Sequence, residues 1–176
     1  MPSLQEIHAE APDVDDEELA LLAKMPSLSI LSLTDTKATD NAIETLTASK
    51  SLRHLDLSGA VGITDEGLKP LSGHAELRVL KLSRISLTDA IAEVLTSLPK
   101  LEELSLDGTL ITDATIARLA EQKSGIKSLA IGSAQISDDV IGAIAKLNEL
   151  ETLEITDSPI TGGSLSALSG LAKLKL

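Results

Sequence analysis

The sequence predicts an α/β solenoid of seven stacked units, with a parallel sheet on one side and short helices on the other. Three observations carry this. An apolar residue recurs at Leu4, Leu28, Leu52, Leu77, Leu101, Ile126, Leu150 and Leu174, a period of 24 or 25 residues. Within each period the apolar spacing changes from that of a strand to that of a helix. The 176-residue chain is 43% hydrophobic with 33 Leu and no Phe, Trp or Tyr, so it can build a large core that is entirely aliphatic.

One domain, residues 1–176, divides into units 4–27, 28–51, 52–76, 77–100, 101–125, 126–149 and 150–173, followed by a partial unit 174–176. Three positions after each repeat leucine stand Ile7, Leu31, Leu55, Leu80, Leu104, Leu129 and Leu153. Two further on come Ala9, Leu33, Leu57, Leu82, Leu106, Ile131 and Ile155. Residues two apart point to one side of a strand, which places both columns inward. In the second half, Ile63, Leu68 and Leu71 are spaced by five and then three, and the second step suits one helical face. The same trio recurs in the other units, for example as Ala38, Ile43, Leu46 and as Ile111, Ile116, Leu119. A unit this short cannot bury two apolar faces alone, so neighbours must stack and share a core. Gly67 and Pro70 should make the third helix short or irregular, since Pro inside a helix removes a donor. The two longer units carry their extra residue in loops, at Val61-Gly62 and near Ser124-Gly125.

The strand pattern Leu-x-x-Leu-x-Leu-x-x-Thr, seen from Leu28 to Thr36 and from Leu101 to Thr109, resembles the leucine-rich repeat family over almost the whole chain. The helix halves, such as Ile63-Thr-Asp-Glu-Gly-Leu68, resemble a bacterial subclass related in pattern to the cysteine-containing repeats of F-box proteins. The resemblance implies a curved, right-handed solenoid whose concave parallel sheet binds another protein. One departure is clear. The turn position that carries Asn or Cys in the family is here Pro12, Thr36, Ala60, Ile85, Thr109, Ala134 and Ser158, so the hydrogen bonds of an Asn ladder must come from elsewhere or from water.

Composition excludes several classes. A net charge of −12 repels nucleic acid and anionic membranes, and the absence of aromatics removes stacking platforms. With no Cys and three scattered His, thiol chemistry, disulfides and a metal cluster are not expected, and no cofactor is implied. The N-terminus lacks a basic region followed by an apolar run, and no stretch approaches a membrane span. A cytoplasmic location is the default expectation, with export if a targeting segment was removed.

The most regular polar feature is the column Asp16, Asp40, Asp65, Asp89, Asp113 and Asp138, interrupted by Gly162. A calcium ladder would need six or more oxygens converging on one point, whereas these stand one per unit. Capping of helix starts, by Asp or by the Thr or Ser before it, is the simpler expectation.

The exposed strand positions, two per strand, read Glu6/His8, Ile30/Ser32, His54/Asp56, Val79/Lys81, Glu103/Ser105, Ser128/Ala130 and Thr152/Glu154. His54, Asp56 and Lys81, with Ser32, Ser58 or Ser105 nearby, are residue types of acyl transfer. An open sheet offers no enclosed pocket for that chemistry, so no catalytic residue is assigned. One position before the first exposed column, Arg78, Glu102, Lys127 and Glu151 alternate in sign, as a lateral charge ladder would. Positive charge gathers at Arg53, His54, Arg78, Lys81 and Arg84, and negative charge at Asp107, Glu151, Glu154 and Asp157, giving a bipolar face. The expected contact set for a protein partner is therefore Arg53, His54, Asp56, Arg78, Val79, Lys81, Arg84 and Asp107.

Residues 1–27 hold seven acids and one Lys, which reads as a polar cap with an irregular first strand around Glu6, His8, Glu10 and Pro12. At the other end Leu174-Lys175-Leu176 begins an eighth unit, leaving a core face without an evident polar cap. The expected function is a non-catalytic protein-recognition module acting through its concave sheet. The alternative is a structural element that self-associates through its C-terminal face, and a third class is a hydrolase using His54.

Overall fold

The computed structural model describes residues 4–123, 125–133 and 135–175. Met1, Pro2, Ser3, Ser124, Ala134 and Leu176, on which some of the expectations above fall, lie outside these residues. The described residues form seven strands, β1 (Glu6–Glu10), β2 (Ile30–Thr34), β3 (His54–Asp56), β4 (Val79–Lys81), β5 (Glu103–Asp107), β6 (Ser128–Gly132) and β7 (Thr152–Thr156). They pair in sequence order into one parallel sheet, the arrangement that stacked identical connections produce. Every neighbour pair is in repeat register, so Leu31, Leu55, Leu80, Leu104 and Leu129 form one continuous inward row. The first strand is not irregular: all five of its residues pair with β2. Alternation of side chains, which the acidic residues do not disturb on the exposed face, is enough to hold it in the sheet.

Opposite the strands lie α1 (Asp16–Ala23), α2 (Asp40–Leu46), α3 (Asp65–Leu68), α4 (Ala92–Ser97), α5 (Asp113–Gln122) and α6 (Val140–Ile144). Tighter 3-10 turns complete the set at Lys69–Leu71, Asp89–Ile91 and Leu165–Gly170. Pro70 at the start of the first of these turns breaks the third unit's helix after one turn, as its sequence predicts. The units stack into a solenoid, with the sheet on the concave side and the helices on the convex side.

The core runs the length of the array. In the second to sixth units all the helix trios are buried, and Ile43, Leu46, Leu68, Leu71, Leu95, Ile116 and Ile144 are fully enclosed. Each fully buried aliphatic side chain is worth about 1.5–3 kcal/mol in removal from water. The trios of the end units lack a neighbour on one side. Val14 and Leu22 remain half-buried, and Leu165 is 45% exposed.

The aspartate column does something other than local capping. Thr39, Thr64, Thr88 and Thr112 cap their own helices, each hydroxyl accepting a backbone N–H of the first turn. The following Asp reaches forward to the next unit. Asp16 accepts from the Thr39 N–H and hydroxyl, Asp40 from Thr64, Asp65 from Thr88, Asp89 from Thr112, Asp113 from Ser137 and Asp138 from Thr161. Six rungs thus tie seven units along the convex side. The ladder ends in sequence-coded ways. In the first unit Asp15 occupies the Thr position and forms a capping box with Glu18, whose carboxylate accepts the Asp15 N–H that a preceding unit's Asp would take. In the last unit Gly162 replaces the aspartate.

The missing Asn ladder is filled piecemeal. The Thr36 hydroxyl accepts the Ala38 N–H, and Thr109 donates to the Leu106 carbonyl. Ser58 and Ser158 accept the N–H groups of Ser83 and Ser133. Ala60 and Ile85 at the same turn position are fully buried and contribute packing alone.

Candidate functional site

The exposed face of the sheet is laid out by register. One row runs Glu6, Ile30, His54, Val79, Glu103, Ser128, Thr152, and a second runs His8, Ser32, Asp56, Lys81, Ser105, Ala130, Glu154. Both match the columns expected from the sequence. His54, Asp56, Val79 and Lys81 therefore form one patch on β3 and β4.

Within it, Asp56 is buried, and its carboxylate accepts the Ser58 N–H at 3.0 Å and the Ser32 hydroxyl at 3.3 Å. His54 lies between Ile30 and Val79, with its ring edge-to-face against His8 at a centroid distance of 6.3 Å. Its Nε2 is buried without a hydrogen-bond partner. Burial, and then the positive charge of Lys81, hold the imidazole below its ordinary pKa. The serine hydroxyls are committed elsewhere: Ser32 to Asp56, and Ser105 to Ser83 at 2.7 Å. Among the described residues, no hydroxyl hydrogen-bonds to the His54 Nε2, as acyl transfer would require.

The remaining predicted residues have partners that change what they can do. Arg78 contacts Glu102 at 2.6 Å, and Lys127 shares the same carboxylate at 3.2 Å. Lys175 meets Glu151 at 2.6 Å, and this contact, through its hydrogen bond and its charge, holds the Glu151 carboxyl below its ordinary range. These rungs form the lateral charge ladder. A second one, two residues earlier in each unit, pairs Glu76 with Lys100 and Glu149 with Lys173, both at 2.5 Å.

Arg84 and Asp107 take part in bridges that skip a unit. Arg84, with φ of 59°, passes over Gly59 to reach Asp35 at 2.9 Å. A Cβ at Gly59 would overlap the Asp35 carboxylate, and its own φ is 79°. Asp107 accepts the Thr156 hydroxyl over Gly132, where a Cβ would again collide with both groups. Each bridge spans 49 residues, so a comparison of adjacent units misses it. The signal in the sequence is a Gly in one unit flanked, in the units before and after, by polar residues at or beside its position.

The positive patch anticipated at the third and fourth units is therefore smaller than its residue count. Among the described residues, Arg53 is exposed and Lys81 half-exposed, and neither has an ionic partner, while Arg78 and Arg84 are neutralised in place. No group of three metal-ligating side chains comes together among the described residues. No helix among them is long and apolar enough to cross a membrane.

Comparison with known proteins agrees with this architecture. A leucine-rich repeat family model matches residues 48–72. The fold is similar to internalin C2 from Listeria monocytogenes, with 25% identity and a TM-score of 0.73, covering 98% of this chain and 70% of that one. It is also similar to a chain in the crystal structure of the yeast Rad7 and Elc1 complex, with 22% identity and a TM-score of 0.68, covering 86% of this chain and 42% of the other. No curated protein sequence matches the chain. The family model and the internalin likeness support the leucine-rich repeat resemblance read from the strand motif.

Proposed function

We propose that the chain is a non-catalytic protein-recognition module of the 24-residue bacterial repeat type, and that it binds a partner protein through the concave sheet around β3 and β4. The observation that carries this is the unsatisfied polar chemistry of that patch. Among the described residues, Arg53 and Lys81 lack ionic partners, and His54 beside them has a buried Nε2 with no hydrogen bond. The buried nitrogen costs stability while it has no partner, and the two cations, solvated by water, are free to pair with acidic groups of another protein. The similarity to a chain of the Rad7 and Elc1 complex, a protein assembly, is consistent with it. Arg53, His54, Val79 and Lys81 form the contact surface; Asp56, expected among them, is buried and supports it from below, as Arg78, Arg84 and Asp107 do through the bridges described above.

The test is capture of a partner from the native source's extract by the wild-type protein and by an Arg53→Glu/Val79→Glu variant. Arg53 is exposed just before β3 and Val79 is half-exposed on the open face of β4, and circular dichroism verifies the fold. Loss of one specific bound protein in the variant supports the reading. Identical capture sinks it and directs attention to the C-terminal end, where Leu165, Leu168, Leu171 and Leu174 line an open apolar depression of about 400 Å³. That depression supports the second reading, self-association through this face, which a concentration series of solution mass would reveal.

A further inference from the structure

The concave sheet carries a trough whose two ends have opposite, unpaired charges. The second exposed row runs from Lys81 on β4 through Ser105 on β5 and Ala130 on β6 to Glu154 on β7. Its floor is two small side chains, so the larger end residues stand above it. Among the described residues, neither Lys81 nor Glu154 has an ionic partner. Asp56 lies beside Lys81 in register, but it is buried, hydrogen-bonded to Ser58 and Ser32, and forms no ion pair with Lys81 among the described residues. The neighbouring cations Arg78 and Lys127 are held at the strand entrance by Glu102, away from the trough.

Adjacent strands lie about 4.8 Å apart, so three steps separate the two ends by about 14 Å. An extended chain advances about 3.3–3.4 Å per residue and returns side chains to the same face every second residue. Four residues span that distance and present the first, third and fifth side chains downward. The geometry points to an extended segment of the partner protein lying across β4 to β7, with an acidic side chain over Lys81 and a basic one over Glu154 four residues away. The middle downward side chain sits over Ser105 and Ala130, where the shallow floor leaves depth for a larger residue. Exposed Glu103 stands in the first row on β5, one strand from Lys81, and would repel an acidic side chain placed over the first row, which confines that side chain to the second row. Opposed end charges also fix the direction of the segment, because the reversed one would bring like charges together at both ends.

This inference rests on the concave-sheet reading and deepens it, so its test uses different residues. A phage-displayed random peptide library is selected on the wild-type protein, on Lys81→Glu and on Glu154→Lys, with circular dichroism showing that all three fold alike. The wild type should enrich segments with an acid and a base four residues apart. Lys81→Glu should replace the acid with a second base, and Glu154→Lys should replace the base with a second acid. The best wild-type peptide should bind each variant roughly tenfold more weakly, because an attractive contact has become repulsive. Failure to enrich any charge pattern, or peptides that bind all three proteins equally, overturns the trough assignment. If the extract partner is lost with Arg53→Glu/Val79→Glu while peptides ignore Lys81 and Glu154, only the trough falls. If peptides follow Lys81 and Glu154 while that variant keeps its partner, the trough stands and the β3–β4 patch falls.

Discussion

Replacing Asp89 with Ala removes one acceptor that serves three donors of the next unit. Its carboxylate takes the Thr112 N–H at 2.9 Å, the Thr112 hydroxyl at 2.7 Å and the Thr115 hydroxyl at 2.5 Å. Burial works against the charged form, yet the hydrogen bonds from Thr112 and Thr115 outweigh it and hold the carboxyl below its ordinary pKa. The donors on Thr112 lie near the surface and can turn to water, so each bond is worth about 0.5–1.5 kcal/mol net. Thr115 is fully buried, and stranding its hydroxyl costs about 1–3 kcal/mol more. The expected loss is about 3 kcal/mol. Asp40→Ala breaks a rung whose two donors, both on Thr64, are exposed, and should cost about 1 kcal/mol.

Urea unfolding followed by far-ultraviolet circular dichroism is the assay, since the chain has no Trp to report by fluorescence. With a slope of about 2 kcal/mol per molar, Asp89→Ala should lower the midpoint by about 1.5 M and Asp40→Ala by about 0.5 M. Adding Thr115→Val to Asp89→Ala should restore about 1 kcal/mol, because both halves of the broken pair are then apolar. Equal effects of the two aspartate variants, or no recovery with Thr115→Val, would refute the inter-unit ladder and return the aspartates to simple capping.

Other perturbations separate the interior from the ends and the strained turns from the open ones. Leu55→Ala, at a fully buried position between Leu31 and Leu80, should cost about 2–5 kcal/mol, while Leu165→Ala at the 45%-exposed end should cost under about 1 kcal/mol by the same urea assay. Gly59→Ala meets both a left-handed backbone and the Asp35 carboxylate and should destabilise by about 2–3 kcal/mol. Gly142→Ala, in α6 with open space around it, should instead stabilise by about 0.5–1 kcal/mol, a rise in the midpoint. His54 binds its proton less tightly folded than unfolded, so the unfolded chain holds more protons just below the ordinary imidazole value. Stability should therefore fall as pH drops from about 7.5 to about 5.5, and His54→Leu should flatten that fall; an unchanged slope would exclude His54 as its source.

Much of the fold was legible because a repeat multiplies weak signals. One strand of three residues such as His54-Leu55-Asp56 is ambiguous alone, but Leu55 recurring as Leu80 and Leu104 fixes both its face and its register. Pro70 likewise declared the broken helix of the third unit. The candidate surface was legible as two columns of residues but not as charges. Whether Arg78 is free depends on how its side chain meets Glu102, and whether Arg84 is free depends on Asp35 two units away, reached only because Gly59 leaves room. Capping by the Thr before each Asp was legible, but the role of the Asp itself was not, for a similar reason. Each Asp follows a residue that caps the local helix, so local chemistry already explained the motif, and the reach of Asp16 to Thr39 shows only once the units are stacked.

The forward reach of each aspartate makes a unit an interchangeable cassette. Every interior unit offers a hydroxyl residue to the unit before it and a carboxylate to the unit behind, so the joints are chemically the same from Asp16 to Thr161. Cutting out residues 77–100 would present Asp65 to Thr112 and β3 to β5 with the same leucine row facing in. The chain can thus shorten or lengthen by whole periods without redesigning a junction, and the span of its concave face can change while the means of holding it together stays constant.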